Sequence, residues 1–179
     1  MARRLITMKQ TNILAILIIF LLFTLVSVPS LVPAQDAPKT RPQIYDERAD
    51  GFKQIADATA ITKKDGKRVL LDFGYNGCRW CQQLHTLFET DPEVSKLLKS
   101  DYVVVYIDWA RGRPNGGGGH NVEVDAKYQA RTLYGAPSLV VLDSDGTRLT
   151  TKDTAELEEG DHHNPQKVLA FLKEWAPKR

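Results

Sequence analysis

The chain has 179 residues, 42% hydrophobic and 26% charged, with a net charge of +2 and two cysteines. That length suits one ordinary domain, and the composition excludes wholesale disorder and collagen-like repeats. Two cysteines cannot build a disulfide-rich scaffold or a four-thiolate zinc site unaided.

The N-terminus reads as a targeting segment. Ile13–Val28 is a 16-residue run whose only polar members are Thr24 and Ser27; Arg3, Arg4 and Lys9 precede it and Val32-Pro33-Ala34 follows. A basic start, an apolar stretch and small residues at a cleavage point predict a secretory signal peptide over residues 1–34. The run spans about 24 Å at ~1.5 Å per residue, short for a bilayer crossing, and an uncleaved anchor in the inner membrane is the alternative. Removing residues 1–34 takes away three cations and no anion, so the remainder carries a net charge of −1. It offers no basic stripe for a phosphate backbone, which argues against nucleic-acid binding. The expected location is periplasmic or secreted, where thiols tend to oxidise. Membrane contact is expected only through the N-terminal segment.

Residues 35–44 hold Pro38 and Pro42 among polar residues and read as a tether. Phe52, Ile55, Ala56, Thr59 and Ala60 recur at helical spacing, predicting a helix over Glu47–Lys64 that Asp65-Gly66 stops. Arg68–Phe73 is a short apolar run bounded by Gly66 and Gly74, a buried strand. Cys78–Thr90 follows as a helix, and Asp91-Pro92 caps and opens another. Tyr102–Asp108 is a second buried strand. The four glycines Gly116–Gly119 make a loop without the Gly-Lys-Ser/Thr ending of a phosphate-binding loop. A helix is expected over Val124–Tyr134, then a hairpin of Ser138–Leu142 and Thr147–Thr151 turning at Asp143–Gly146. Glu158, Glu159, Asp161, His162 and His163 read as a solvated loop. The last helix starts at Asn164-Pro165 and turns Val168, Leu169, Leu172 and Trp175 inward. This order predicts an α/β fold, a mixed central sheet with helices on both faces.

One motif carries chemistry. Cys78-Arg79-Trp80-Cys81 places a Cys-x-x-Cys pair after a buried strand and at a helix start. Unpaired N–H groups and the partial positive charge of a helix N-terminus stabilise a thiolate, and Arg79 adds a cation. Both lower the pKa of Cys78 and favour it as the attacking nucleophile. Cys81, one turn deeper, is placed to attack a mixed disulfide and release the substrate. A purely structural staple is the competing reading. A loop this short would stabilise the fold by only ~2 kcal/mol, against ~4.7 for a loop of about 100 residues. A second alternative is a copper or zinc carrier using Cys78, Cys81 and His85, at i, i+3 and i+7 on one helix. His120 has no evident partners, and no G-x-S-x-G motif supports serine-triad chemistry.

Val69–Phe73, the Cys-Arg-Trp-Cys centre four residues later and Gly135–Leu142 together resemble the thioredoxin superfamily. Within it, the likeness is to secreted bacterial thioredoxin-domain proteins with a Cys-x-Trp-Cys centre, and it covers roughly Tyr45–Trp175. The resemblance implies a thioredoxin-like three-layer sandwich over residues 45–179 and a protein thiol–disulfide oxidoreductase. Pro137 would be cis and face the disulfide, with Ala136 pairing with an extended substrate. Asp72 would match the family's buried aspartate, the proton acceptor for the resolving cysteine. Arg79 and Trp80 would contact substrate, a core position for Trp80 being the alternative. The implied partners are protein thiols and disulfides, plus an unnamed redox partner that recycles the pair. No organic cofactor is implied, and a monomer is expected. Departures also show. The lysine that partners the family's aspartate falls at Val104, and Arg-Trp between the cysteines leaves the direction of electron flow open.

Overall fold

Hydrophobic runs bounded by glycine and proline become strands here, and the intervening amphipathic runs become helices. In the computed structural model, which describes residues 42–109, 121–130 and 135–178, the first elements are α1 (Gly51–Asp65), β1 (Arg68–Gly74), α2 (Arg79–Thr90), α3 (Pro92–Asp101) and β2 (Tyr102–Asp108). There follow α4 (Val122–Tyr128), β3 (Ser138–Leu142), β4 (Arg148–Asp153), a 3-10 turn (Thr154–Leu157), β5 (Glu158–Glu159), β6 (His162–His163) and α5 (Pro165–Glu174). The expected signal peptide, the expected tether up to residue 41, the glycine run 116–119 and His120 lie outside the described residues, as do residues 131–134. No helix among the described residues is long and apolar enough to cross a membrane.

The main sheet has the order β2-β1-β3-β4. β1 pairs parallel with β2, setting Asp72 opposite Tyr106, and antiparallel with β3, setting Asp72 opposite Leu139. The parallel pair requires a crossover, which α2 and α3 supply. Side chains alternate along β1. Val69, Leu71 and Phe73 join Ile55 and Ala58 of α1 and Val124 and Tyr128 of α4 on one face. Leu70 joins Leu84 and Phe88 of α2, Val94 and Leu98 of α3, and Val168, Phe171 and Leu172 of α5 on the other. The sandwich therefore has three layers around a mixed sheet. By the same alternation, Asp72 falls on the face covered by α2.

The helix boundaries follow from caps. Asp50 accepts from Lys53 N–H, so α1 starts at Gly51 rather than at Glu47. Asp46 instead closes a turn, accepting from Arg48 N–H at 3.0 Å. Gly66, at φ +65°, ends α1 as expected. Asp91 Oδ1 accepts from Glu93 and Val94 N–H at 3.0 and 2.9 Å, which separates α2 from α3. Asn164 does the same for α5. α4 stops at Tyr128, short of the expected Tyr134, because Gln129 turns left-handed at φ 49° and Ala130 N–H returns to Asp125 C=O.

The expected solvated loop before α5 is corrected by the structure. Leu157 is buried in the α2–α5 core, and β5 and β6 pair across the turn at Gly160, whose φ is +66°. The register leaves His162 exposed and turns His163 inward to 3% exposure. Adjacent side chains in a strand point opposite ways, so one histidine is buried without its neighbour.

Candidate active site

Cys78 is the N-cap of α2, and its Sγ accepts the backbone N–H of Cys81 at 3.1 Å. The two cysteines form a disulfide with their Cα atoms 5.2 Å apart. Cys78 keeps 6% of its surface exposed and Cys81 none. The first turn of α2 holds no acidic side chain to offset the positive end of the helix. Of the two sulfurs, Cys78 is thus both the more accessible and the better placed to carry negative charge.

The Ala136–Pro137 peptide bond is cis. It brings the Ala136 carbonyl oxygen to 3.6 Å from Cys78 Sγ. Thr154 Oγ1 donates to the Pro137 carbonyl at 2.5 Å, holding the segment from behind. The Cys78 sulfur therefore meets the Ala136–Pro137 segment, which Thr154 in turn holds.

Asp72 is fully buried. Its Oδ1 accepts the hydroxyl of Tyr45 at 2.9 Å, while Oδ2 has no hydrogen-bond partner among the described residues. Burial pushes its pKa up to about 7, and the Tyr45 hydrogen bond pulls against that rise. Tyr45 is itself buried, packed with both cysteines. Burial and the neighbouring Asp72 carboxylate hold its hydroxyl well above the usual phenol range. Asn76, in the loop between β1 and Cys78, clamps this tyrosine. Its Oδ1 accepts from Ile44 and Tyr45 N–H at 2.9 and 3.0 Å, and its Nδ2 donates to the Tyr45 carbonyl at 2.9 Å. Tyr106, opposite Asp72, meets Tyr45 edge-on with ring centroids 5.8 Å apart.

The remaining expected residues are placed differently. Arg79 extends toward Asp161, Nη2 to Oδ2 3.9 Å, with both side chains mostly exposed. Trp80 is half-buried, packed beside the cysteine cluster and edge-on to His163 at 5.4 Å. His85 Nδ1 lies 3.1 Å from Tyr106 Oη. Among the described residues, no three or more His, Cys, Asp or Glu side chains gather where they would share an ion. Val104 pairs with Leu70, leaving the hydroxyl of Tyr45, rather than a cation, as the group bonded to Asp72.

Sequence reasoning missed Tyr45, Asn76 and His163. The first carried a faint signal: Ile44-Tyr45 is an apolar pair ending a polar, proline-containing stretch. Asn76 carried none, because its partners lie 31 and 32 residues away. His163 has both ring nitrogens without a hydrogen-bond partner among the described residues, and burial pulls its pKa down to about 4.

A family model described as thioredoxin-like matches residues 51–144. The chain is similar in structure to a disulphide isomerase from Xylella fastidiosa Temecula1, with 28% identity over 74% of this chain and 96% of that one, and a TM-score of 0.63. A thioredoxin from Thermus thermophilus matches at 24% identity over 66% of this chain and 81% of that one, with a TM-score of 0.46. The oxidised C-terminal domain of Neisseria meningitidis DsbD matches at 21% identity over 71% of this chain and 97% of that one, with a TM-score of 0.49. No curated protein matches.

Proposed function

This chain belongs to the thioredoxin-like family, and we propose that its Cys78–Cys81 pair exchanges disulfides with proteins outside the cytoplasm. Membership of the family and a Cys-x-x-Cys pair at a helix start make it a thiol–disulfide oxidoreductase. The observation that carries the reading furthest is the junction at Cys78: a helix-capping sulfur with the Ala136 carbonyl 3.6 Å away. An extended peptide laid along Ala136 and Pro137 would present its own sulfur to Cys78. The basic and apolar N-terminal run supports the extracytoplasmic location.

Reduction of a client proceeds in two exchanges. The Cys78 thiolate attacks one sulfur of the client disulfide, forming a mixed disulfide and releasing the other client sulfur as a thiolate. Cys81 then loses its proton to Asp72 and attacks Cys78 Sγ. The Cys78–Cys81 bond forms, the mixed bond breaks, and two electrons have passed to the client. Oxidation of a client runs the same steps backwards, with protonated Asp72 returning the proton to Cys81. A redox partner restores the starting state in either direction.

Cys81→Ser tests the reading, because it leaves the attacking sulfur and removes the resolving one. Covalent adducts with cell-envelope proteins, reversible by dithiothreitol, are the expected result; their absence would rule the exchange out. The reduction potential sets the direction. A value near about −270 mV marks a reductant, and one between about −120 and −180 mV an oxidant or isomerase.

A further inference from the structure

We propose that Tyr45 links the buried carboxylate to the resolving cysteine, its hydroxyl relaying the proton between Cys81 Sγ and Asp72. The inference rests on the exchange reading above and adds to it a residue from outside the Cys-x-x-Cys helix.

The geometry converges on Gly74. A Cβ built there would lie 2.3 Å from Tyr45 Oη and 2.8 Å from Cys81 Sγ. The separation of hydroxyl and sulfur therefore cannot exceed the sum of those two distances. At the same time the hydroxyl donates its single proton to Asp72 Oδ1 at 2.9 Å. Its lone pairs remain open to a donor, and reduction of the disulfide would make the Cys81 thiol a donor within that separation.

The tyrosine is held in place for this. Asn76 fixes the backbone on both sides of it with three hydrogen bonds of 2.9–3.0 Å. Asn76 also lies two residues before Cys78, so one loop positions both the nucleophile and the tyrosine. Such prior fixation removes the entropic cost of finding the geometry during reaction. The groups facing this centre are Tyr106 and Asp108 from β2, Cys78 and Cys81 from α2, and His85 behind Tyr106. The Asp72 carboxyl, with its pKa near 7, is poised to take up or release a proton at neutral pH.

In the resolving step, the Cys81 S–H proton moves to Tyr45 Oη as the Tyr45 O–H proton moves to Asp72 Oδ1. Tyrosine ends unchanged, Asp72 ends neutral and Cys81 ends as the thiolate. That thiolate bonds to Cys78 Sγ, and the substrate sulfur leaves with the electron pair of the mixed disulfide.

Oxidised glutathione serves as the probe. The reduced full-length protein is mixed with it, acid-quenched and weighed by mass spectrometry. A glutathionylated species rises with Cys78 attack and decays with Cys81 attack. In the wild type the decay should slow as pH falls below about 7. Tyr45→Phe keeps the ring in its cluster; it should leave the rise unchanged, slow the decay about tenfold at pH 7 and move the slowing to higher pH. In an Asp72→Asn background the same change should add no further slowing. The wild-type decay should also show a curved proton inventory in mixed light and heavy water, two protons moving at once. A Tyr45→Phe decay that matches wild type across the pH range would overturn the relay. So would an undiminished loss in the Asp72→Asn background, or a linear inventory. If no glutathionylated species forms in wild type or in Cys81→Ser, the exchange reading itself fails, and the relay with it.

Discussion

Two buried ionisable groups sit within a side chain or two of the disulfide, and they have been treated in opposite ways. Asp72 is reached through Tyr45, which donates to it at 2.9 Å. His163 is reached through Trp80, and neither of its ring nitrogens has a partner among the described residues. Burial drives both toward the neutral form: the carboxyl holds its proton up to about pH 7, and the imidazole gives its proton up until about pH 4. Desolvation alone therefore does not distinguish a working group from a packed one. The distinguishing feature is the hydrogen bond to a tyrosine packed against both cysteines, which Asp72 has and which His163 lacks among the described residues.

The sharpest way to break the comparison is to remove the acid. Asp72→Asn should slow Cys81 attack on the order of a hundredfold at pH 7, the lower end of what a positioned general base supplies. Quenched mass spectrometry of the glutathione reaction reads this directly. Stability should move the other way. The folded pKa of about 7 lies above the ordinary carboxyl value of 3.8, so the stability linked to protonation is complete below about pH 4 and lost as pH rises through 7. Chemical denaturation should find Asp72→Asn roughly 2–4 kcal/mol more stable than wild type at pH 8, with no such gain at pH 4.

A smaller effect tests the clamp. Asn76→Ala should cost about 2–3 kcal/mol, because two backbone N–H groups and a carbonyl lose their partners. Amide exchange at Ile44 and Tyr45 should accelerate while that in β1 stays slow. Equal acceleration in both places would mean that Asn76 supports the whole fold rather than the tyrosine.

The smallest effect belongs to the histidine. Its folded pKa of about 4 lies below the ordinary imidazole value of 6.5. The stability linked to its neutral form is thus complete above pH 6.5 and lost as pH falls toward 4. His163→Leu should relieve about 1–2 kcal/mol of that loss at pH 4. Decay of the glutathionylated species should stay within about twofold of wild type. A larger change would make His163 part of the chemistry and dissolve the contrast.

Legibility followed the range of the interactions involved. β1 and β3 were readable because strands covered on both faces are continuous apolar runs. Cys78, Cys81 and the starts of α3 and α5 were readable because caps and redox motifs are local in sequence. The start of α1 was misplaced because Asp46 and Asp50 are both capping residues, and only the three-dimensional turn assigns the cap to Asp50. β5 and β6 are two residues each, too short to show a period. Tyr45 was hidden for a different reason. Its meaning lies in contacts with Asp72 and Asn76, 27 and 31 residues on, and a residue at the end of a polar, proline-containing stretch looks like linker.

Gly74 sits where these threads cross, and its role is one of exclusion. Its backbone is not left-handed, so nothing about its conformation demands glycine. Space demands it: any other residue would thrust a carbon to within 2.3 Å of the tyrosine oxygen and 2.8 Å of the sulfur. The nearest conservative replacement, alanine, thus acts as a wedge, forcing donor and acceptor apart before any larger side chain is considered. The path a proton must cross at this site is set by the absence of a single methyl group.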